Sequence, residues 1–277
     1  MSNNLLAWNT LSYIWSHPNC KSQRIPSISR FIGWQFYKRL THRTVELQLL
    51  SNVKMRCQPD SRSAASVLYC GLYDYDEMNF LLRYLRDEDS FLDIGANVGV
   101  YTLLAASKIR SGWIYSFEAL PKNYQRLQEN LKLNENVVGE IDLNLSDGDS
   151  TPSIINSKKS HNTTTVSSDT LDNLLKNHPL EKLTLAKIDI EGAELLALKG
   201  AISLLEQKYP QVWILEVLGA SGQELVNFLY SYGYSLYQYS ADTNKISPIS
   251  LEQKQGNNVL AIANTAIDFV RARLVSA

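Results

Sequence analysis

The residues best placed to do chemistry are an aspartate, an asparagine and two glycines that follow a short apolar run. They are Asp93, Gly95, Asn97 and Gly99, in the segment "FLDIGANVGVYT". A glycine directly after a strand lets the backbone turn sharply, and a second one a turn later lets another group approach the backbone closely. Amides at the start of the following helix point into the same space. This spacing predicts a cofactor cavity at the end of a strand.

A glutamate at the end of the next predicted strand supports that prediction. Glu118 lies 23 residues after Gly95, where an acidic side chain can accept both hydroxyls of a ribose. The third glycine of a pyrophosphate-binding loop is missing, and Asp93 and Asn97 favour a cofactor with positive charge. S-adenosylmethionine carries an ammonium and a sulfonium, so it is the predicted cofactor. The alternative is that Gly95 and Gly99 only permit tight strand–helix packing.

The block "KIDIEGAE" places three charges at the carboxyl end of a predicted strand. A central parallel strand is buried on both faces, so Lys187, Asp189 and Glu191 need a purpose there. Asp189 is the first candidate for a catalytic base or a substrate-orienting carboxylate, and Glu191 and Glu216 come next. Glu194 is the candidate that would instead cap the following helix.

Two further candidates for activating the acceptor remain open. A divalent cation could be held by Asp189, Glu216 and Asn258, because oxygen ligands suit Mg²⁺, although we assign no metal site. His161 lies in the polar stretch "SDGDSTPSIINSKKSHNTTT" and could act as a base, but loop histidines are usually only solvated.

The elements that would position these residues alternate between strand and helix from Asp76 onward. Strands that alternate with helices at this spacing predict a mostly parallel, doubly wound sheet covered on both faces. The predicted strands are "SFLDI", "GWIYSFE", "GEIDLNLS", "KLTLAKIDI", "QVWILEV", "YSLYQYS" and "NNVLAIAN". The predicted helices are "DEMNFLLRYLRDED", "GVYTLLAASKI", "PKNYQRLQENLKLN", "SDTLDNLLKN", "GAELLALKGAISLLEQ" and "SGQELVNFLYSYG".

The composition is that of an ordinary globular chain of 277 residues with a net charge of −1, which gives no reason to expect nucleic acid as a partner. Three cysteines without CxxC or Cys/His ligand spacing favour a reducing compartment. The N-terminus lacks the features of a signal peptide, and no run is long enough to span a bilayer. A cytoplasmic location is therefore expected.

The first 70 residues form a distinct front section, which we predict to be an accessory or lid region preceding a Rossmann-like domain over residues 71–277. Helical spacing is predicted before Pro18 and from Ser27 to Leu40, followed by a strand pair that turns near Ser51. Before Gln58 there are eight lysines and arginines against one glutamate, a net charge of +7. The aromatic and basic residues could pack on the core, cover the acceptor site, or make weak peripheral contact with an anionic membrane.

Several of these segments together resemble a known family. "FLDIGANVGVYT", "FEALPKNYQRLQENLKLN", "LSD", "TLDNLL", "KIDIEGAELLALKGA" and "ILEV" occur in the order seen in FkbM family S-adenosylmethionine-dependent methyltransferases. The resemblance covers roughly Tyr75 to Asn264 and implies a class I Rossmann-like methyltransferase fold. One departure is Ala119, where the family more often has a proline directly after the glutamate.

The resemblance also implies roles for individual residues. Asp93, Gly95, Asn97 and Gly99 would surround the methionine part of the cofactor, and Glu118 would bind the ribose. Ser146 and Asp147 would face the adenine, although the same residues are also typical of a plain turn. The expected activity is O-methylation of a hydroxyl on a glycan or a secondary metabolite.

Two competing functions follow from the same segments. A nicotinamide-dependent oxidoreductase could use the same sheet, but the third glycine and a Tyr-x-x-x-Lys set are missing. A non-catalytic protein could retain the fold, but the intact glycines, Glu118 and Asp189 argue against that.

Overall fold

The computed structural model describes residues 2–135, 141–144, 169–177, 179–217, 221–254 and 256–276. Two helices, a hairpin and a third helix precede the central sheet. They are α1 (Ser2–Ser16), α2 (Arg24–Thr41), β1 (Val45–Leu50), β2 (Val53–Cys57) and α3 (Arg62–Cys70). The first two helices and the hairpin turn at Ser51 and Asn52 are as predicted, and α3 was not predicted.

The central sheet contains eight strands in the described part of the chain. They are β3 (Ser90–Ile94), β4 (Ile114–Phe117), β5 (Ile141–Asn144), β6 (Leu183–Ile188), β7 (Val212–Glu216), β8 (Tyr234–Ser240), β9 (Lys245–Pro248) and β10 (Asn258–Ala263). Their spatial order is β5-β4-β3-β6-β7-β10-β8-β9. The first five in that order pair in parallel, and β10 runs antiparallel to both of its neighbours. The predicted doubly wound, mostly parallel sheet is confirmed.

Within the described residues, eight further helices connect and cover these strands. They are α4 (Tyr75–Tyr84), α5 (Val100–Ala106), α6 (Pro121–Lys132), α7 (Leu171–Leu174), α8 (Glu194–Lys199), α9 (Ile202–Glu206), α10 (Ser221–Ser231) and α11 (Ile267–Val275). The described helices include none with both the length and the apolar character needed to cross a bilayer.

One predicted helix is broken into α8 and α9 at Gly200. The backbone N–H of Asp172 donates to the carbonyl of Gly200 (3.0 Å). The carboxylate of the same residue accepts from the backbone N–H groups of Ser203 (2.9 Å) and Leu204 (3.2 Å). A side chain from a distant segment therefore caps a new helix start, which periodicity alone could not reveal.

Two elements at the C-terminal end were missed in the sequence. Strand β9 is a short exposed edge that ends on Pro248, so it carries a weak strand signal. Helix α11 is held by an ion pair between Arg273 and the buried Asp89 at the start of β3. The carbonyl of Leu274 also accepts from the amide of Asn244 (2.7 Å).

Two hydrophobic clusters lie on the two faces of the sheet, because successive strand residues point to opposite sides. Phe91 belongs to one cluster and Leu92 to the other. The cluster that contains Phe91 also contains Ile14, Phe31 and Trp34 from α1 and α2. The front section thus packs one apolar face on the core. The domain boundary at residue 70 stays a prediction.

Two asparagines, one on α6 and one just after it, attach the front hairpin to the central domain. Asn130 is fully buried; its Oδ1 accepts from the N–H of Arg56 on β2 (2.8 Å) and its Nδ2 donates to the carbonyl of Val98 (2.8 Å). Asn134 pairs with both the N–H and the carbonyl of Lys54 (2.8 and 2.7 Å). The two asparagine amides therefore supply hydrogen-bond partners for backbone groups at the outer edge of β2. Asn130 also bonds the loop after β3.

We expect Asn130→Ala to lower the free energy of unfolding by roughly 2–4 kcal/mol, because it leaves a buried N–H and a buried carbonyl without partners. Chemical denaturation measures this loss. The control is Gln128→Ala, an exposed position on the same helix, which should change stability by less than about 0.5 kcal/mol. Equal stability of the two variants would show that the asparagine does not attach the hairpin.

Candidate functional site

The candidate site lies where the sheet reverses its strand order. The chain moves from β3 to β4 on one side, and β6 occupies the other side of β3. Parallel register places Ile94 beside Phe117 and beside Ile188 at the carboxyl ends of the three strands. Ligands of doubly wound sheets bind in the crevice outside such a switch point. The structure therefore brings the loops after β3, β4 and β6 to one edge, as the sequence predicted.

The loop between β3 and α5 adopts three left-handed backbone conformations. The φ angles of Gly95, Asn97 and Gly99 are +82°, +54° and +87°. The N–H groups of Gly95 and Ala96 both donate to the carbonyl of Phe117 (2.9 Å each). This loop is thus fastened to the end of β4, and a non-glycine residue at position 97 holds a conformation that costs free energy.

The two glycines are also required by packing within the protein. A Cβ atom at Gly95 would lie 2.1 Å from the carbonyl oxygen of Asp189, and one at Gly99 would lie 2.3 Å from Cδ1 of Leu127. Both approaches are far inside van der Waals contact. Tight packing within the protein is therefore enough to explain both glycines. Evidence for a cofactor has to come from the polar groups around the loop.

Glu118 is buried and turned toward this loop. Its Oε2 accepts from the N–H of Asn97 (2.7 Å) and its Oε1 from the N–H of Leu120 (2.8 Å). A carboxylate has about four acceptor positions, so two bonds leave acceptor capacity on both oxygens. The structure places the glutamate at the predicted position, and its role toward a ribose stays a prediction.

Asp93 is buried beneath the same loop and has one oxygen without a partner. Its Oδ2 accepts from the hydroxyl of Thr102 (2.6 Å), which in turn lies 2.8 Å from the hydroxyl of Ser116. Among the described residues, its Oδ1 has no hydrogen-bond donor. Burial raises the pKa of this carboxyl, and the nearby Lys187 opposes the rise. An unpartnered buried acceptor is costly unless a ligand group donates to it.

Lys187 supplies the positive charge at the centre of the site. Its buried ammonium lies 2.8 Å from Oδ2 of Asp189 and 4.6 Å from the ring centre of Tyr101. The hydroxyl of Tyr101 donates to Oδ2 of Asp74 (2.9 Å). This lysine explains why a central strand carries charges, and its role as a counter-ion was not predicted from the sequence.

Helix α4 adds two carboxyl groups that the sequence did not point to. Burial raises the pKa of Asp74, although Lys187 and the hydrogen bond from Tyr101 oppose the rise. Burial and the neighbouring Asp74 raise the pKa of Glu77 to about 7. The run "DYDE", residues 74–77, spans the start of this amphipathic helix and is the sequence signal for them. Lys187 therefore pairs with Asp189 and lowers, by its charge, the pKa values of Asp74, Glu77 and Asp93.

The three predicted catalytic carboxylates lie at adjacent strand ends. Asp189 follows β6 and is half-exposed, Glu216 ends β7, and Glu191 is exposed with a φ of +55°. Burial raises the pKa of Glu216, and the charges of Asp189, Glu191 and Glu194 raise it further. The structure therefore gathers these carboxylates into one acidic edge, and which of them acts on an acceptor stays a prediction.

The sequence suggested that Glu194 could cap α8, but in the structure its carboxylate accepts from the loop before that helix. Its Oε1 accepts from the N–H groups of Ile190 (3.1 Å) and Gly192 (3.0 Å). The carboxylate thus closes the turn before its own helix and is not free to meet a substrate.

Three of the predicted site residues lie outside the part of the chain that the structure describes, and the alternative divalent-cation site receives little support. Ser146, Asp147 and His161 lie outside the described residues. Asn258, the third member of the alternative divalent-cation site, is the register partner of Glu216 across β7 and β10. The ammonium of Lys187 already occupies one oxygen of Asp189, which disfavours a cation there.

A cluster of His17, Cys20 and Cys70 was not expected from their spacing. Their potential ligand atoms lie within 4.8 Å of one another, and all three residues are buried. Both histidine nitrogens are engaged, however: Nδ1 accepts from the N–H of Asn19 (3.2 Å) and Nε2 lies 2.8 Å from the carbonyl of Tyr73. Burial lowers the pKa of His17 and raises that of the Cys70 thiol. The cluster is therefore a neutral part of the core.

We expect Lys187→Met to lower the free energy of unfolding by roughly 3 kcal/mol at neutral pH, because buried carboxylates lose their counter-ion. Lys187 lowers the pKa of Asp74 and of Asp93, so its loss moves both folded-state values further above those of the unfolded chain. Protonated carboxyls need no counter-ion. The deficit should be full above the raised values and should shrink as the pH falls through them.

Denaturation of both proteins across this pH range tests the expectation. Lys199→Met is the matched control, since Lys199 is exposed and 3.3 Å from the exposed Glu224. A Lys187→Met deficit that does not change with pH would contradict the counter-ion role.

Three known proteins illustrate what the chain is similar to. Trm5b from Pyrococcus abyssi aligns with a TM-score of 0.45 at 12% identity, covering 79% of this chain and 54% of that one. TYW2 from M. jannaschii, in complex with AdoMet, aligns with a TM-score of 0.44 at 13% identity, covering 79% and 84%. Likenesses this weak say nothing about which reaction the chain performs.

A relative by sequence is the hexuronic acid methyltransferase AglP from Haloferax volcanii. It is 29% identical over 142 residues, which are 48% of this chain and 58% of AglP. The chain thus matches less than two thirds of that relative's length. The family described as Methyltransferase FkbM domain matches residues 93–236, which run from the aspartate under the β3 loop into β8 and include Lys187, Asp189 and Glu216. The chain belongs to the FkbM methyltransferase family.

Proposed function

We propose that this protein is an S-adenosylmethionine-dependent O-methyltransferase. The observation that carries the proposal is the buried Oδ1 of Asp93 at the switch point, which has no donor among the described residues, while the Lys187 ammonium is already paired with Asp189. A buried carboxylate oxygen without a partner favours a ligand that brings a positively charged donor. The methyl donor carries an ammonium and a sulfonium, whereas a nicotinamide dinucleotide brings a negative pyrophosphate.

The residues that would hold the cofactor fit its chemistry. The unpartnered Oδ1 of Asp93 is an acceptor for the ammonium, and Glu118 keeps acceptor capacity for the ribose hydroxyls. Gly95, Asn97 and Gly99 would shape the loop over the methionine part, and the family resemblance implies that Ser146 and Asp147, which lie outside the described residues, would contact the adenine. When bound, S-adenosylmethionine supplies a methyl group already activated by the sulfonium. The protein's task is then mainly alignment, which can contribute about 7–11 kcal/mol.

We infer that the methyl acceptor is a neutral hydroxyl of a glycan. AglP is named for a hexuronic acid, which has both hydroxyls and a carboxyl. Carboxylate acceptors are disfavoured at the edge formed by Asp189, Glu191 and Glu216, because like charges repel. A hydroxyl is a weak nucleophile and benefits from a base. The same argument applies to a hydroxyl of a secondary metabolite.

Glu216 is the strongest candidate for that base. Its pKa is raised by burial and by three neighbouring carboxylates, and a base works best when its pKa lies near the operating pH. Asp189, the first candidate from the sequence, is paired with Lys187 and is better suited to orient the acceptor. Glu191 is exposed and would contact the acceptor from outside.

We expect Asp93→Asn to weaken S-adenosylmethionine binding by roughly 10–100-fold, because it removes a charge-assisted hydrogen bond. Isothermal titration calorimetry with S-adenosylmethionine and S-adenosylhomocysteine measures the loss. Asp268→Asn is the control, since Asp268 is almost fully exposed on α11. Unchanged affinity in Asp93→Asn would remove the ammonium role. Thermal stabilisation by NAD, without any by S-adenosylhomocysteine, would favour the oxidoreductase alternative.

We expect Glu216→Gln to lower kcat by roughly 10²–10⁴-fold while the affinity for S-adenosylmethionine stays within several-fold, because the variant loses only the base. Transfer of radiolabelled methyl to hexuronic acid and neutral hexose glycans provides the assay. Glu206→Gln, at the exposed end of α9, is the control. Normal turnover in Glu216→Gln, with loss in Asp189→Asn, would give the base role to Asp189.

The product distinguishes a hydroxyl acceptor from a carboxyl acceptor. A methyl ether survives mild alkali, and a methyl ester is hydrolysed. Release of the label by alkali would overturn the hydroxyl assignment without affecting the methyltransferase proposal. Absence of transfer to all acceptors, despite S-adenosylmethionine binding, would favour a non-catalytic member of the family.

A further inference from the structure

We propose that the outer face of α2 docks on an anionic lipid surface. Four large apolar side chains form a stripe along this face of the helix, and all four are exposed. They are Ile25 (76% exposed), Ile32 (46%), Phe36 (64%) and Leu40 (81%). Their spacing of seven, four and four residues keeps them on one side of a helix. We call these four residues the outer stripe.

The outer stripe is not needed to hold α2 on the protein. The opposite side of the helix is packed through Ser27, Phe31 and Trp34, which are buried. A helix that is apolar on two sides normally has both of them covered. Within the described residues, the second apolar side faces solvent, so it is available to a partner.

The charge around the outer stripe selects the kind of partner. The chain before Glu46 contains six lysines and arginines and no acidic residue. Arg39 and Arg43 are exposed near Leu40. Apolar side chains flanked by basic ones are what a peripheral helix presents to anionic lipids. A second copy of this chain would bring two basic surfaces together, and a nucleic acid would leave the apolar side chains uncovered.

Helix α1 adds two exposed tryptophans to the same section. Trp8 is 71% exposed and Trp15 is 53% exposed. The guanidinium of Arg24, one residue before Ile25, lies 4.9 Å from the ring centre of Trp15, so the two helices adjoin at the start of the outer stripe. Tryptophan is enriched at the interface between lipid and water. This basic, aromatic surface is independent of the methyl-transfer chemistry.

Co-sedimentation of the full chain with vesicles tests the proposal. We expect binding to vesicles of equal parts phosphatidylcholine and phosphatidylglycerol, little binding to phosphatidylcholine alone, and release by added salt, which screens the charge. Phe36→Ser with Leu40→Ser should weaken binding by at least about tenfold. Arg39→Glu with Arg43→Glu should weaken it comparably, since each basic residue contributes to the attraction.

Leu196→Ser is the matched control, because Leu196 is an exposed leucine on α8 outside the outer stripe. It should bind as the unchanged protein does. Tryptophan emission should shift to the blue on binding, because Trp8 and Trp15 are exposed, whereas Trp34 and Trp213 are buried and Trp113 is half-buried. Circular dichroism confirms that the variants are folded.

Three outcomes would overturn the proposal. They are absence of vesicle binding, equal binding to neutral and anionic vesicles, and unchanged binding of the Phe36→Ser, Leu40→Ser variant. If light scattering shows a dimer that this variant converts to a monomer, and vesicles are not bound, the occupant of the outer stripe is a second copy of the chain.

Discussion

The ion pair between Lys187 and Asp189, inside a group of carboxyls, is the interaction on which the site depends. Burying an ammonium costs several kcal/mol unless the charge is compensated. Here the compensation comes from Asp189 at 2.8 Å, the ring of Tyr101, and the nearby Asp93 and Asp74. These residues belong to or adjoin β3, β6, α4 and α5. One buried charge therefore connects four elements around the crevice.

The front section is connected to this crevice by specific polar contacts as well as by packing. Asn130 bonds both Arg56 on β2 and Val98 in the loop after β3. The hydroxyl of Ser63 on α3 lies 3.4 Å from Oδ1 of Asn97. The hairpin and α3 therefore both contact the loop whose Asn97 N–H bonds Glu118. The accessory elements thus support the geometry of the candidate cofactor site.

The uneven distribution of charge along the sequence has a structural counterpart. The basic section with a net charge of +7 lies on α1, α2 and the hairpin, where the outer stripe is exposed. The acidic groups of the remaining chain include the edge formed by Asp189, Glu191 and Glu216. The basic residues of the front section and the acidic edge thus lie on different elements of the fold.

The sequence by itself determined the sheet, its parallel strands and the place of the crevice. Short apolar strands and amphipathic helices are local patterns, and Asp93, Gly95, Glu118 and Asp189 follow directly from strand ends. It also determined the FkbM resemblance, which the family match confirms. Local signals were weak for β9 and α11, whose positions depend on distant partners such as Asp89.

Only the tertiary structure decided what the polar residues do to one another. Lys187 acts as a counter-ion, and Asp74 and Glu77 lie near it, because α4 packs against α5, whose Tyr101 bonds Asp74, an arrangement that no spacing encodes. The same packing showed that Gly95 and Gly99 are crowded by Asp189 and Leu127. The folded structure also distinguishes two glutamates: Glu194 accepts hydrogen bonds within a turn, whereas the pKa of Glu216 is raised by burial and neighbouring charges. Burial and charge proximity are properties of the folded chain, so the pattern of residues could name the candidates but could not rank them.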